Sequence, residues 1–386
     1  MIVVAWVTVT GPFSGSGYAA SFYGLGLVLL ALGAAHRQWP RFDLRLGAIA
    51  LLFLALCWLS ISWSIEPQRT LRGAGQLTLI FAGALILLSQ RWTLDDGAER
   101  IRTTALAGMS VGGALGAFDF LVDHPIMRHF VPPNGVYHAV GAKMDRGLAY
   151  AAILSWPILA LNWRPGRKKW CVLMLVLVGA MIALSNASTV QLGAAVGLAA
   201  LGVASVAPGL VAGGLAALSV IAALLTPVLA LDFGATLMPL ATAIKTSAVH
   251  RLEIWDYMSR RAFERPISGW GWWTAEYLPI RPDELARYRY VTAAGTPHPH
   301  GNWVQLWVET GIGGVALGLA FALLVLWRAW KMPKASRPFA LACCTAVFID
   351  AVASFDLASD SWWAVQAAAA LLFSLLPKAA SMDAPT

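Results

Sequence analysis

Leu210 to Leu231, LVAGGLAALSVIAALLTPVLAL, runs for 22 residues without one charged side chain. A hydrocarbon core about 30 Å thick takes roughly 20 apolar residues of helix to cross. No backbone amide inside such a run can turn to water, so the segment must close its hydrogen bonds internally as a helix. Similar runs recur in both directions, at 17–36, 44–63, 71–90, 101–121, 147–163, 169–187, 189–206, 303–327, 338–354 and 362–376. They lack the period-two alternation of barrel strands. The reading is an all-α, polytopic transmembrane bundle of about eleven or twelve spans. A chain of 386 residues that is 58% hydrophobic and 12% charged fits it. Three regions follow: membrane helices over 1–231, one large loop over 232–302 and membrane helices over 303–386. The stretch 1–10 is apolar but too short to span and resembles no cleavable signal peptide. Whether it begins an extra span stays open.

Alternating these spans puts Arg37, Arg41 and Arg45, then Arg91, Arg100 and Arg102, then Arg164, Arg167, Lys168 and Lys169, then Arg328, Lys331, Lys334 and Arg337 on one side, with Lys378 in the tail. The positive-inside rule makes that side the cytoplasm. The loops around 123–146 and 232–302 then face outward, with six of the seven histidines. Halves of unlike loop length speak against an alternating-access transporter, the competing non-catalytic class, which usually shows related halves. Cys57, Cys171, Cys343 and Cys344 sit inside apolar runs and read as small buried hydrophobes. Gly112 with Gly116, and Gly193 with Gly197, read as close-packing sites between helices. Trp39, Trp58, Trp63, Trp92, Trp163, Trp170, Trp303, Trp327, Trp362 and Trp363 lie near span ends, as in an aromatic belt.

The outer loop carries a helix signal of its own. Leu252, Trp255, Met258 and Ala262 form one stripe, and Glu253, Asp256, Arg260 and Glu264 another, which predicts an amphipathic interfacial helix. Asp256 with Arg260, and Arg260 with Glu264, are spaced to pair along it. Arg251 falls in line with Trp255 and Met258, where an unpaired guanidinium is costly and an anionic partner explains it best. Pro266 stops the helix. The turn Gly269-Trp270-Gly271-Trp272-Trp273 follows, with aromatic faces suited either to sugar rings or to interfacial anchoring. Upstream, Lys143 and Arg146 stand where the chain re-enters the membrane, as snorkelling anchors or as a phosphate site oriented by Asp145.

The loop ends in Thr296-Pro297-His298-Pro299-His300-Gly301-Asn302-Trp303, which sets two imidazoles at the mouth of the next span. A neutral imidazole can accept a proton near pH 7. Zinc binding and helix capping compete with that reading, and zinc has no third ligand at metal spacing. Glu309 and Asp350 read as polar glue within spans. Arg251 with Trp255, Phe263, Pro266-Ile267-Ser268-Gly269-Trp270-Gly271, His300, Gln305, Glu309, Gly311 and Gly314, preceded by Asp145-Arg146-Gly147, resembles the O-antigen ligase and polymerase superfamily of bacterial membrane proteins.

The resemblance implies a metal-independent, inverting glycosyltransferase without cofactor, in the bacterial inner membrane with its active site facing the periplasm. It would take a glycan from undecaprenyl diphosphate to an acceptor hydroxyl, on a lipid A–core sugar in a ligase or on another lipid-linked glycan in a polymerase. His300 and Arg251 align with the catalytic pair, and Arg146 and Arg251 with the diphosphate-binding arginines. His298, Asn302 and Trp255 stand beside them as accessory residues. Two departures stand out: Gly301 where the family has Asn after its histidine, and Ser188-Thr189-Val190 where it has Ser-Arg-Gly. Lys143 is the candidate to replace that arginine.

Overall fold

A computed structural model describes residues 43–89, 97–130, 137–291 and 298–376, with a few isolated positions before residue 32. Nearly all of the expected span 17–36, Arg37, Arg41, Arg91, Thr296, Pro297 and Lys378 lie outside the described residues, as do the side chains of Lys143 and Asp145.

The described elements are helices and turns. The longer helices are α1 Leu44–Leu59, α2 Pro67–Ser89, α3 Ala98–Leu121, α4 Tyr137–Asn162, α5 Lys168–Leu184, α6 Ser188–Val206, α7 Pro208–Ile244, α8 Thr246–Glu264, α9 Asn302–Trp330, α10 Arg337–Ala353 and α11 Asp360–Ser374. Each of the ten remaining expected spans falls on one of them. Among the described residues, six helices are long and apolar enough to cross a membrane. The chain is a multi-pass, all-α membrane protein. The run at 210–231 forms a longer helix than its apolar length demands: α7 continues to Ile244, with Pro227 and Pro239 inside it, and only Lys245 separates it from α8.

Small residues let the helices close. Gly197 of α6 lies under the Trp156 ring of α4, where an added Cβ would sit 2.7 Å from the ring, and Gly193 faces the backbone of α10 at Ala346. Gly113 and Gly116 of α3 meet α5 at Val178 and Met181, while Gly112 meets the backbone of Thr8. Charges gather at one end: Arg164 and Arg167 both pair with Glu99, Arg102 donates to the Leu375 carbonyl, and Arg328 pairs with Asp43.

The aromatic belt is only partly realised. Trp58, Trp163, Trp170 and Trp327 are exposed, but Trp303 and Trp362 are buried, and the Trp362 ring stacks on Phe355. Trp270 and Trp272 are buried too, so these two side chains of the Trp-rich turn face neither sugar nor headgroup. Trp272 packs edge-on against Phe53 of α1, and the Trp272 carbonyl accepts from Thr70. Arg265 stacks over Trp270. The turn is a core element that fastens the loop to α1 and α2.

The loop helix α8 forms where its two stripes require, yet it is more deeply embedded than an interfacial helix. Its Ile254, Tyr257, Met258 and Ala262 are buried, as are the polar Asp256, Ser259 and Arg261. Asp256 pairs with Arg260 as the spacing predicts and also accepts from the Tyr288 hydroxyl at 2.5 Å. The expected Arg260–Glu264 pair is replaced. Glu264 binds Arg261 and Arg281, and Arg261, wholly buried, also binds Glu284. Removing one partner of such a buried pair costs roughly 3–5 kcal/mol, so these charges belong to the loop's own fold.

Candidate active site

The end of the bundle opposite the Glu99 cluster collects the histidines. α8 supplies His250 and Arg251 on successive residues, the segment before α9 supplies His298 and His300, and the α10–α11 connection supplies Ser354 and Asp356. The His300 ring lies 4.7 Å from that of His298 and 5.4 Å from that of His250, centre to centre. His250 in turn meets Tyr290 edge-on at 4.9 Å. Arg251 donates to the Ala353 carbonyl at 2.8 Å and to the Ser247 carbonyl at 3.0 Å, which ties α8 to the end of α10. Among the described residues, no three His, Cys, Asp or Glu side chains are grouped to hold a metal ion.

His300 is held in an unusual backbone state. Its φ is 53°, in the left-handed region that costs a residue with a Cβ roughly 1–2 kcal/mol. Three neighbours fix it there. The His300 amide donates to Nδ1 of His298 at 2.7 Å. Trp255 donates from its indole to the Pro299 carbonyl at 2.9 Å. Gly301 passes so near Val352 that an added Cβ would lie 2.7 Å from that carbonyl oxygen. This close approach accounts for glycine where the resemblance expects asparagine. Asn302 becomes the first residue of α9, buried, with its Oδ1 lacking a hydrogen-bond partner.

The helix that follows is broken in a defined way. Gly311 has φ 62° and ψ −159°, which divides α9. The carbonyls of Val308 and Glu309, left over at the break, accept from the amides of Trp270 and Gly271 at 2.9 and 3.0 Å, and Ile312 donates back to the Pro266 carbonyl at 2.9 Å. The motif Pro266 to Gly271 is thus the complement of the kink. Glu309 accepts from the Ala275 amide at 3.2 Å and from Gln305 at 3.3 Å, and Gln305 donates to Asp356 at 2.7 Å. Glu309 is glue, joining α9 to the loop. Asp350 is buried, and its Oδ1 has no hydrogen-bond partner.

Burial pulls the His300 imidazole down to about 3, and the neighbouring His298, Arg251 and His250 add to the shift; a hydrogen bond to the Ser354 backbone opposes it. His250 is lowered by burial and by Arg251. A depressed imidazole pKa means the neutral form persists well below the usual 6.5. The histidine NMR signal that disappears in His300→Gln is therefore expected to stay neutral from pH 8 down through about pH 5. A transition near 6.5 in that signal would contradict the geometry.

Arg146 is exposed in α4, one turn before Tyr150, whose ring packs on Phe355 beside Asp356. It shares this end of the bundle, although no described contact joins it to His300. Lys143 lies in the same helix, with its side chain outside the described residues. Two residues the sequence did not single out stand in the site: His250, hidden because adjacent helix positions point about 100° apart, and Asp356. A third, Lys245, donates to the Asn186 carbonyl and to Ser188 Oγ, both at 2.9 Å. That brings a cation to the place where Ser-Arg-Gly is missing.

Residues 146–317 match the family described as O-antigen ligase. Three curated relatives are each named "Putative polysaccharide ligase". That of Rickettsia felis is 24% identical over 321 residues, covering 81% of this chain and 76% of its own. That of Rickettsia conorii is 23% identical, covering 85% and 78%. That of Rickettsia bellii is 24% identical, covering 85% and 79%. The matched segment begins at Arg146 and contains Arg251, His300 and the kink at Gly311, and over it this chain is similar to the O-antigen ligase family.

Proposed function

We propose that the protein transfers a glycan from undecaprenyl diphosphate to a hydroxyl of a lipid A–core sugar, with inversion and without a metal, at the periplasmic face of the bacterial inner membrane. The observation that carries this reading is the meeting of His300 with Arg251 at the end of the bundle away from the clustered arginines, inside the segment that matches the O-antigen ligase family. His300 takes the acceptor proton as the acceptor oxygen bonds to the anomeric carbon and the carbon–phosphate-oxygen bond breaks. Because one ring nitrogen is engaged with the Ser354 backbone, the other is the proton acceptor. An imidazole held near 3 is a weak base in the resting site. The donor diphosphate brings negative charge beside it, which offsets Arg251 and raises its basicity when substrate is bound.

Arg251 and Arg146 are the diphosphate cations in this reading, with Lys245, rather than Lys143 alone, standing in for the missing arginine. The relatives' names carry the word ligase, which favours a core-sugar acceptor over a polymerase's lipid-linked one. Deleting the gene and separating surface polysaccharide on a gel tests this. The expected result is core without polymer while polymer accumulates on carrier lipid. Core bearing a single repeat would instead mark a polymerase, and an unchanged surface glycan would overturn both, leaving a non-catalytic transporter as the reading to examine.

A further inference from the structure

The geometry points to His298 as the positioning residue that holds His300 in its left-handed conformation, with Asp356 and Gln305 setting the orientation of the His298 ring. The inference rests on the reading of His300 as the base, and it gives a definite role to His298, which the resemblance implied only as an accessory residue. His298 Nδ1 accepts the His300 amide at 2.7 Å. A ring nitrogen that accepts carries no proton, so the proton sits on Nε2. That nitrogen faces Asp356 Oδ2 at 3.6 Å. The carboxylate is itself fixed, since its other oxygen accepts from Gln305 and from the Ala358 amide, each at 2.7 Å. Gln305 accepts in turn from the Leu357 amide at 3.0 Å.

The chain of contacts runs from α9 through the α10–α11 connection to His298 and ends on the backbone of the residue two positions on. Without the accepted bond, only the Trp255 indole on the Pro299 carbonyl is left to hold the N-terminal side of His300, and the residue relaxes toward the extended or right-handed regions that a Cβ prefers. That rotation swings the imidazole away from Arg251 and the Ser354 backbone. His298 thus acts through His300 in this reading. It sets where the base stands.

Two substitutions separate the contacts of the ring. Asn places its Oδ1 near the position of Nδ1 and can accept the amide two residues on, as in an Asx turn. Gln reaches the position of Nε2 and can meet Asp356, but it presents no acceptor at Nδ1. With purified protein, carrier-lipid donor and core acceptor, His298→Ala and His298→Gln are expected to lose about 10²-fold in kcat with KM little changed, because a misplacement near 1 Å costs that much. His298→Asn is expected to recover most of the rate. Thermal melting in detergent controls for folding. Wild-type kcat in His298→Ala alongside an inactive His300→Ala would overturn the positioning role and leave the base assignment intact. A folded His298→Asn as slow as His298→Ala would overturn it as well. Transfer by His300→Ala would remove the reading on which both rest.

Discussion

His300→Ala is expected to cost about 10²- to 10⁴-fold in kcat, the range general-base catalysis contributes, while the protein still folds. The side chain is half-buried, and beside the ring's contact with the Ser354 backbone the residue is held through its main chain, by the His300 amide, the Pro299 carbonyl and the close pass of Gly301, which the substitution leaves in place. The loss should therefore be in rate rather than in yield of folded protein. Substrate affinity should hold, because the diphosphate is assigned to arginines. Turnover of a carrier-lipid donor by purified variant, read as kcat and KM separately, checks this. A variant that keeps wild-type kcat excludes His300 as the base, whatever its stability.

The second large effect concerns stability and lies at the junction of the Trp-rich turn with the break in α9. Gly269 has φ 65°, and a Cβ there would stand 2.4 Å from the backbone carbon and oxygen of Glu309. Gly311 mirrors it from the helix, with a Cβ 2.3 Å from the Ile267 carbonyl oxygen. Gly269→Ala adds the left-handed penalty of about 1–2 kcal/mol to an overlap with backbone that cannot rotate away. The sum should exceed about 3 kcal/mol, in the range reserved for strained backbone and overpacked cores. With an unfolding entropy of about 2.1 cal/mol/K per residue over the 386 residues, the melting temperature of the variant in detergent should fall by about 4 °C or more. A melting temperature equal to wild type would mean that the turn and the helix are not packed as described.

How much of this was legible in the sequence depends on what each residue's role requires. The spans were, because a run such as 210–231 has only one way to satisfy its amides in hydrocarbon. Arg251 and His300 were singled out by residue type and by the order of motifs around them, and the fold brings the two together. The Trp-rich turn was misread: Trp272 serves equally well at an interface or in a core, and only Phe53 and Thr70, some 200 positions earlier in the chain, decide which. The charges on α8 were half legible, since spacing finds Asp256 with Arg260 but cannot see Tyr288 or Glu284 folding back to compete. His250, Asp356 and Lys245 left no local signal. Each meets a partner remote in sequence, and alternation of spans says only that they share a side.

The break at Gly311 also fixes a height. The arm from 312 to 330 holds 19 residues, about 28 Å of helix at 1.5 Å each, which is close to the thickness of the hydrocarbon core. The arm from 302 to 310 adds about 13 Å beyond it at the same rise. A headgroup layer occupies only about 5–8 Å on each side of the core. In the proposed reading, with the outer arm rising along the membrane normal, the imidazole of His300 would stand at or above the outer rim of the headgroups, higher than the phosphates of a carrier lipid.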